Sequence, residues 1–497
     1  MKIMFITPPY HCGVVEVAGR WIPLQYVYLA GAARAAGHEC IIYDAMSLWH
    51  DHEQITTRIA TEQPDVVCMS VITATHNAGM EVLENAKRVL PGVTTVLGGV
   101  HAHFMARSIL EEHPQTVDFI IRGEGEYILP EALEHLGKPD ELRKVRGLVF
   151  VDGDDIVLNP PALRHQDLDI LPTAFDLLDW PTYRYFVIEN SRLGAVATSR
   201  GCPHGCTFCS QQVFWERTWR ARAPAKVVDE IATLKNRFGV NVVLFSDEYP
   251  TASRKRWEEL LDLLIKADLG VFLLMETRVE DILRDQDILW KYRRAGIVHV
   301  YMGVEATDQD TLDLMKKDIT VEQSRQALAL VTQHGMVTET SLVLGFPHET
   351  PESINRTLEM AKHFNPDNAH FLAITPWPYT ELYKEFEPYI EVRDYSKYNL
   401  IEPIATTKTM SLADLDHAMV DCYRKFYMGK MKDFLTEPDP FRRHYLVEAA
   451  RLIMGSSFIR KKMATGAGMP KEIRKMIQKL RNHSSTPTTD ISAIPRF

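Results

Sequence analysis

No apolar run in this chain reaches the length of a membrane-spanning helix. Cysteine is scarce: seven in 497 residues, an odd number with three in one loop, which excludes the paired framework of a small disulfide-bonded domain. Excess positive charge is also missing. The formal net charge is −10, so a nucleic-acid partner is not expected. The opening MKIMFITPPY carries an apolar stretch too short and wrongly flanked for a signal peptide. These absences predict a cytoplasmic, reduced protein whose clustered thiols bind metal rather than one another. What is present is ordinary for a soluble globular protein: 45% hydrophobic and 25% charged residues. The length is too great for one core and predicts two or three domains.

The first part of the chain alternates short apolar runs with helical patterns. MKIMFIT, CIIYD, DVVCMSV, TTVLGG and DFIIRGEGE are continuous apolar runs separated by stretches such as NAGMEVLENAKRVL. That pattern predicts buried parallel strands in an α/β, doubly wound, Rossmann-like domain over residues 1–140, with any ligand at the strand C-termini. GLVFVDGDDIVLNPP reads as a hairpin turning at Asp-Gly, and a Pro- and Asp-rich linker continues to residue 190. Six more strand–helix units follow over 191–385, from GAVATS to AHFLAIT, and predict a (β/α)6 partial TIM barrel. Residues 386–482 read as a helical, basic C-terminal region and 483–497 as a disordered tail. For the basic stretch KEIRKMIQKLRNH two readings stand, a helix packed on the barrel or one lying on a membrane surface. Packing is the expectation.

The densest chemical signal is SRGCPHGCTFC, which spaces Cys202, Cys206 and Cys209 as C-x3-C-x2-C after the first barrel strand. Structural zinc asks for four ligands, and His204 is the one candidate for the fourth. An iron–sulfur cluster suits thiolates and, with three cysteines, leaves one iron open for a small molecule. The three cysteines are therefore the candidate catalytic and metal-ligating residues.

This loop, placed after the first strand of a partial barrel, resembles the radical S-adenosylmethionine (SAM) superfamily. The resemblance implies a [4Fe-4S] cluster whose open iron binds SAM and whose electron yields a 5′-deoxyadenosyl radical. It also implies SAM contacts at Phe208, at the acidic pair Asp247 and Glu248, at Arg278 and Glu305, and along VLGFPHET. A doubly wound domain before such a barrel is similar to the cobalamin-binding radical SAM class. By that resemblance, Gly98, Gly99, His101, Gly123, Glu124 and Gly125 in GGVHAHF and RGEGE lie near the corrin and its nucleotide tail. The Asp-x-His-x-x-Gly motif that supplies a lower cobalt ligand in many cobalamin domains is missing, which leaves His101 or His103 as candidates or no protein ligand at all.

PPYHCGVVEVAGRW, SRGCPHGCTFCSQQVFW, TRVEDILRD, TPWPYTELY, DYSKYN and YRKFYM resemble the BchE-like proteins, the anaerobic magnesium-protoporphyrin IX monomethyl ester cyclases and their close paralogues. Cys12-Gly13 stands where the family has Gly-Gly, and the loop around Gln211–Gln212 also departs. The resemblance implies oxidative closure of the fifth ring of bacteriochlorophyll, with cobalamin, SAM, the cluster, a tetrapyrrole substrate, water as oxygen source and a one-electron donor such as flavodoxin or ferredoxin. The rival enzyme reading is a cobalamin-dependent radical SAM C-methyltransferase. A cobalamin-binding sensor is the rival of another class, and the cysteine triad argues against it.

Overall fold

The computed structural model describes residues 1–11 and 15–456. By its internal contacts the chain forms two units. The first comprises Met1–His11, Ile22–Thr182 and Asp394–Tyr398; the second takes the described residues of Cys12–Trp21, Tyr183–Arg393 and those from Asn399 on.

The first unit is built on a sheet whose five parallel strands stand in the order Glu39–Tyr43, Lys2–Ile6, Val66–Ser70, Thr94–Gly98, Phe119–Ile121. All five match the apolar runs. The runs are continuous because both faces are buried. Met4, Ile6, Val67, Met69 and Leu97 fill the core on one face, while Ile3, Phe5, Val66, Cys68 and Val96 fill it on the other. The strand order reverses direction between Lys2–Ile6 and Val66–Ser70, which puts the switch-point crevice there. Tyr26 holds the two strand ends in place: its hydroxyl donates to Ile6 O at 2.6 Å and accepts from Ser70 N at 2.8 Å.

The Asp-Gly hairpin is not a separate piece. Leu148–Asp152 pairs antiparallel with Phe119–Ile121, and Asp155–Leu158 forms the sheet edge. The expected boundary at residue 140 thus falls within this unit, and the linker packs on it. Gly31 lies where the linker crosses the helix Leu24–Ala35, because a Cβ there would run into the backbone at Pro172 and Thr173. Arg34 then pairs with Asp176 at 2.7 Å. Residues 394–398 join the same unit, through Tyr10 Oη donating to Ser396 O and Asn77 Nδ2 to Asp394 Oδ1 at 2.9 Å.

The second unit holds six parallel strands in chain order: Leu193–Val196, Val242–Phe245, Phe272–Thr277, Ile297–Glu305, Val337–Leu344 and Asn368–Ala373. We call them barrel strands one to six. Helices Pro224–Phe238, Arg254–Ala267, Val321–Gln333 and Pro351–Phe364 follow strands one, two, four and five. The lower interior is polar. His299, Glu339 and His370, on strands four, five and six, form a row in which both imidazole Nε2 atoms meet the Glu339 carboxylate, at 3.1 and 2.8 Å. Burial acts to raise the Glu339 pKa, but the two imidazoles together outweigh it and hold the carboxyl well below its usual range. His299 Nδ1 reaches Tyr445 Oη at 2.6 Å, and Tyr445 reaches Tyr185 Oη at 2.5 Å. Tyr445 belongs to the helix Pro440–Gly455, which Arg442 ties to the sheet by donating to Asp367 Oδ1 at 2.5 Å and to Met336 O at 2.6 Å. The basic stretch KEIRKMIQKLRNH and the tail from 483 lie outside the described residues.

Candidate functional site

The cysteine loop is the tip of a hairpin that the residue pattern does not reveal. Ser199–Gly201 pairs antiparallel with Trp219–Ala221. Between them run the three cysteines and the short helix Ser210–Phe214. Gly201 has φ +94°, and a Cβ there would strike the Thr218 carbonyl, so the entry to the loop requires glycine. The loop is stitched to its surroundings: Thr207 N donates to Met315 O at 3.0 Å, and Leu382 N to Thr207 O at 3.1 Å. Phe208 packs on the cluster that contains Met315, Phe346 and Leu382, with Lys317 Nζ 5.9 Å from its ring centre. At the end of strand five, Gly345 N and Phe346 N both donate to Glu349 Oε2, at 2.6 and 3.0 Å, so the VLGFPHET segment folds as a tight turn.

The residues expected to meet SAM at the strand ends also bond to protein groups in this structure. Asp247 is fully buried. It accepts from Thr198 N at 2.9 Å, from Thr198 Oγ1 at 2.8 Å and from Ser199 Oγ at 2.5 Å. Burial pushes its pKa up to about 6 against these hydrogen bonds. In this structure it supports the root of the cysteine hairpin. Glu248 accepts from Gly201 N at 3.2 Å and from Trp215 Nε1 at 2.9 Å, and so clamps both ends of the cysteine loop. Arg278 Nη1 lies 3.7 Å from the Cys206 sulfur, while Nη2 donates to Lys317 O at 2.8 Å. Glu305, at φ +66°, pairs with Lys317 at 2.8 Å. Gly303 leaves the room for this pair, since a Cβ there would lie 2.7 Å from Lys317 Nζ.

The carboxylate that is free is one the motifs did not flag. Glu276, on strand three, accepts no hydrogen bond and forms no ion pair among the described residues, and it is exposed between buried neighbours. Packed surroundings raise its pKa to about 8, reinforced by Glu248, Asp247 and Glu305 and opposed by Lys317. A signal was present: METR places a charged residue within the run VFLLMET, where a fully buried strand has no use for one.

The three thiols fit an iron–sulfur cluster. Cys206 is buried, Cys202 and Cys209 are half-buried, and Arg278 and Lys317 bring positive charge to offset thiolates. Burial pushes the Cys202 thiol up and the Cys209 thiol to about 11. Among the described residues no three His, Cys, Asp or Glu side chains converge on one ion. A cubane does not require such convergence, because each cysteine ligates a different iron. His204, weighed as a fourth zinc ligand, lies edge-on to Tyr249 with Nε2 4.0 Å from Glu280.

In the first unit, Gly98 faces open space: a Cβ there would have Met69 O, 3.9 Å away, as its nearest neighbour. Other expected residues have protein reasons. Gly99, at φ +92°, backs onto strand Val66–Ser70, where a Cβ would lie 2.6 Å from Val71 N. Gly123 has φ +124°, and Gly125 abuts Leu29. Glu124 is buried at the N-terminus of the helix Gly125–Glu134. His101 is buried, with Nδ1 3.1 Å from Thr73 Oγ1 and its ring packed on His76 and Tyr395. Burial, with His76 beside it, drives the His101 pKa down to about 3. The Cys12 side of the loop after Lys2–Ile6 lies outside the described residues.

The B12 binding domain family matches residues 10–133, and the radical SAM superfamily matches residues 196–361. Together with the three-cysteine hairpin, this pairing defines a cobalamin-dependent radical SAM enzyme, whose cofactors are cobalamin, a [4Fe-4S] cluster and SAM. The chain is 39% identical over 469 residues to the anaerobic magnesium-protoporphyrin IX monomethyl ester cyclase of Rubrivivax gelatinosus, covering 93% of this chain and 84% of the relative. It is 38% identical to the same-named protein of Cereibacter sphaeroides, covering 90% and 74%. It belongs to the family of anaerobic magnesium-protoporphyrin IX monomethyl ester cyclases. The structure of the radical SAM methyltransferase TsrM from Kitasatospora setae, with tryptophan and a SAM analogue bound, shares the fold at TM-score 0.70 and 16% identity, covering 97% of this chain and all of that one.

Proposed function

We propose that this protein closes the isocyclic ring of magnesium-protoporphyrin IX monomethyl ester without molecular oxygen, as a step in bacteriochlorophyll biosynthesis. One observation carries the reading: identity to the two cyclases extends across both units rather than the barrel alone. When bound, the cofactors supply hydrogen abstraction at an unactivated carbon. The chain positions that chemistry. Cys202, Cys206 and Cys209 would hold the cluster, on a loop that Glu248 clamps at both ends. Arg278 and Lys317 offset its negative charge. Phe208 and the turn held by Glu349 frame the place we assign to the adenine. Glu276 offers a carboxyl that gains and loses a proton near neutral pH, the range in which a general acid or base works best. A one-electron donor of the flavodoxin or ferredoxin class supplies the reductant, and the cytoplasm is the compartment that suits these thiols. Among the described residues no helix is long and apolar enough to cross a membrane.

The test is an anaerobic incubation of the reconstituted protein with magnesium-protoporphyrin IX monomethyl ester, SAM, cobalamin and reductant in isotopically labelled water. Cyclisation adds one labelled oxygen to the product and removes hydrogens. A product heavier by a methylene group, without labelled oxygen, would establish the methyltransferase reading and overturn this one.

A further inference from the structure

One line of side chains crosses four barrel strands. Glu276 on strand three has Tyr301 as its register partner on strand four, Tyr301 has Glu339 on strand five, and Glu339 has Asn368 on strand six. Register partners, and residues two apart on a strand, share a face of the sheet. His299 and His370 lie on that same face and meet the Glu339 carboxylate. Tyr301 Oη donates to Ser341 Oγ at 2.7 Å. The line therefore runs from the free carboxyl of Glu276 to the His299–Glu339–His370 row.

Two features set this row apart from a packed core. The Glu339 side chain keeps 23% of its surface accessible, while the imidazoles on either side keep 10% and 5%. Each of its carboxylate oxygens meets one imidazole, which leaves a further lone pair on each. Beside it, Asn368 is 1% exposed, yet neither its Oδ1 nor its Nδ2 bonds to a protein group among the described residues. His370 Nδ1 is likewise unbonded there. A buried amide almost always has partners, and leaving one without them costs free energy. An amide donor, an amide oxygen and a carboxylate lone pair at neighbouring register positions are the set that a water molecule satisfies.

We propose that Asn368 and Glu339 hold the water whose oxygen enters the substrate, and that Glu339 takes its proton. The inference rests on the cyclase reading, which draws the product oxygen from water. Hydrogen abstraction leaves a carbon radical, and loss of one further electron to an oxidised metal cofactor of the same enzyme makes that carbon a cation. The water oxygen bonds to the carbon through a lone pair, one O–H bond breaks, and the proton passes to the Glu339 carboxylate. The two imidazoles stand at 3.1 and 2.8 Å to take it on. Before the step the same imidazoles keep the carboxylate ionised against its burial, which is the form a base needs.

The test runs the labelled-water incubation with the parent protein, Asn368→Leu and Glu339→Gln, and measures labelled oxygen in the product per 5′-deoxyadenosine released. Leucine is close to asparagine in shape and removes an amide that no described protein group satisfies. Asn368→Leu should therefore keep or raise the thermal midpoint. In both variants the labelled oxygen per 5′-deoxyadenosine should fall by about 100-fold, the cost of a misplaced or missing base. An unchanged ratio in a folded variant would overturn the assignment. So would a large drop in the midpoint of Asn368→Leu, because the amide would then be bonded within the fold. If Glu339→Gln fails to fold, Asn368→Leu decides alone. A parent protein that adds no labelled oxygen removes the cyclase reading and this inference with it, whereas labelled product from the parent with unchanged ratios in the variants removes this inference alone.

Discussion

At the scale of single residues, the barrel mouth shows how one side chain acquires a role by being left without a partner. Asp247, Glu248, Glu305 and Glu276 carry the same functional group within a few residues of the strand ends, yet only Glu276 is uncommitted. Its pKa near 8 means that the folded protein keeps a proton that the unfolded chain releases at a lower pH. The native state must then lose stability as pH rises from the usual carboxyl range through about 8. Glu276→Gln removes that loss. The variant's advantage in thermal midpoint should be small at about pH 5 and should widen toward about pH 9. A difference that stays constant with pH would show that Glu276 is ionised throughout. Asp247 makes the opposite case. Asp247→Ala leaves the buried Thr198 N–H without its acceptor and should cost roughly 1–3 kcal/mol in chemical denaturation. A cost near zero would mean that water replaces the carboxylate.

At the scale of elements, the cysteine hairpin behaves as a single module. Its strands are short, and its loop is fixed by Gly201, the Glu248 clamp and the Thr207 contacts rather than by a core of its own. The variant with Cys202, Cys206 and Cys209 all changed to alanine, purified without oxygen, should contain neither cluster iron nor its visible absorption. Stoichiometric zinc in the parent protein, without iron, would refute the cluster. Alanine at Cys40, Cys68 or Cys422 should leave iron content unchanged, because all three side chains are buried, Cys40 and Cys68 in the core of the first unit's sheet and Cys422 on the helix Leu412–Thr436, and none belongs to the C-x3-C-x2-C loop. The expectation that the acidic pair recognises SAM came from its place at a strand end. The folded hairpin adds a mechanical role for the pair, which holds the root and both ends of the cysteine loop.

At the scale of the whole molecule, the second unit depends on a helix far along the chain. Arg442 pairs with Asp367, both side chains being at most 9% exposed, and Tyr445 on the same helix completes the His299–Tyr185 network. Arg442→Ala should destabilise this unit by roughly 3–5 kcal/mol in a denaturant titration, because it takes the counter-charge from a buried carboxylate whose Oδ2 alone keeps its bonds, from Thr338. A loss within the range of a surface substitution would show that the helix is not anchored there.

Much of this protein follows from local chemistry and was therefore legible in the sequence. Buried parallel strands must be continuously apolar, so the five strands of the first unit and the six of the second stood out as runs. Three cysteines at C-x3-C-x2-C need no tertiary context to imply a metal centre. The rest depended on which donors and acceptors meet in space. The sequence places Asp247, Glu248, Arg278 and Glu305 at strand ends, but only the packed barrel shows that Thr198, Trp215, Cys206 and Lys317 already engage them. Likewise, GGVHAH offers two histidines to a cofactor, and folding buries the first against Thr73, His76 and Tyr395. Periodicity and spacing are properties of neighbours along the chain. Hydrogen-bond saturation and burial are properties of neighbours across it, and these decided which side chains remain free to act.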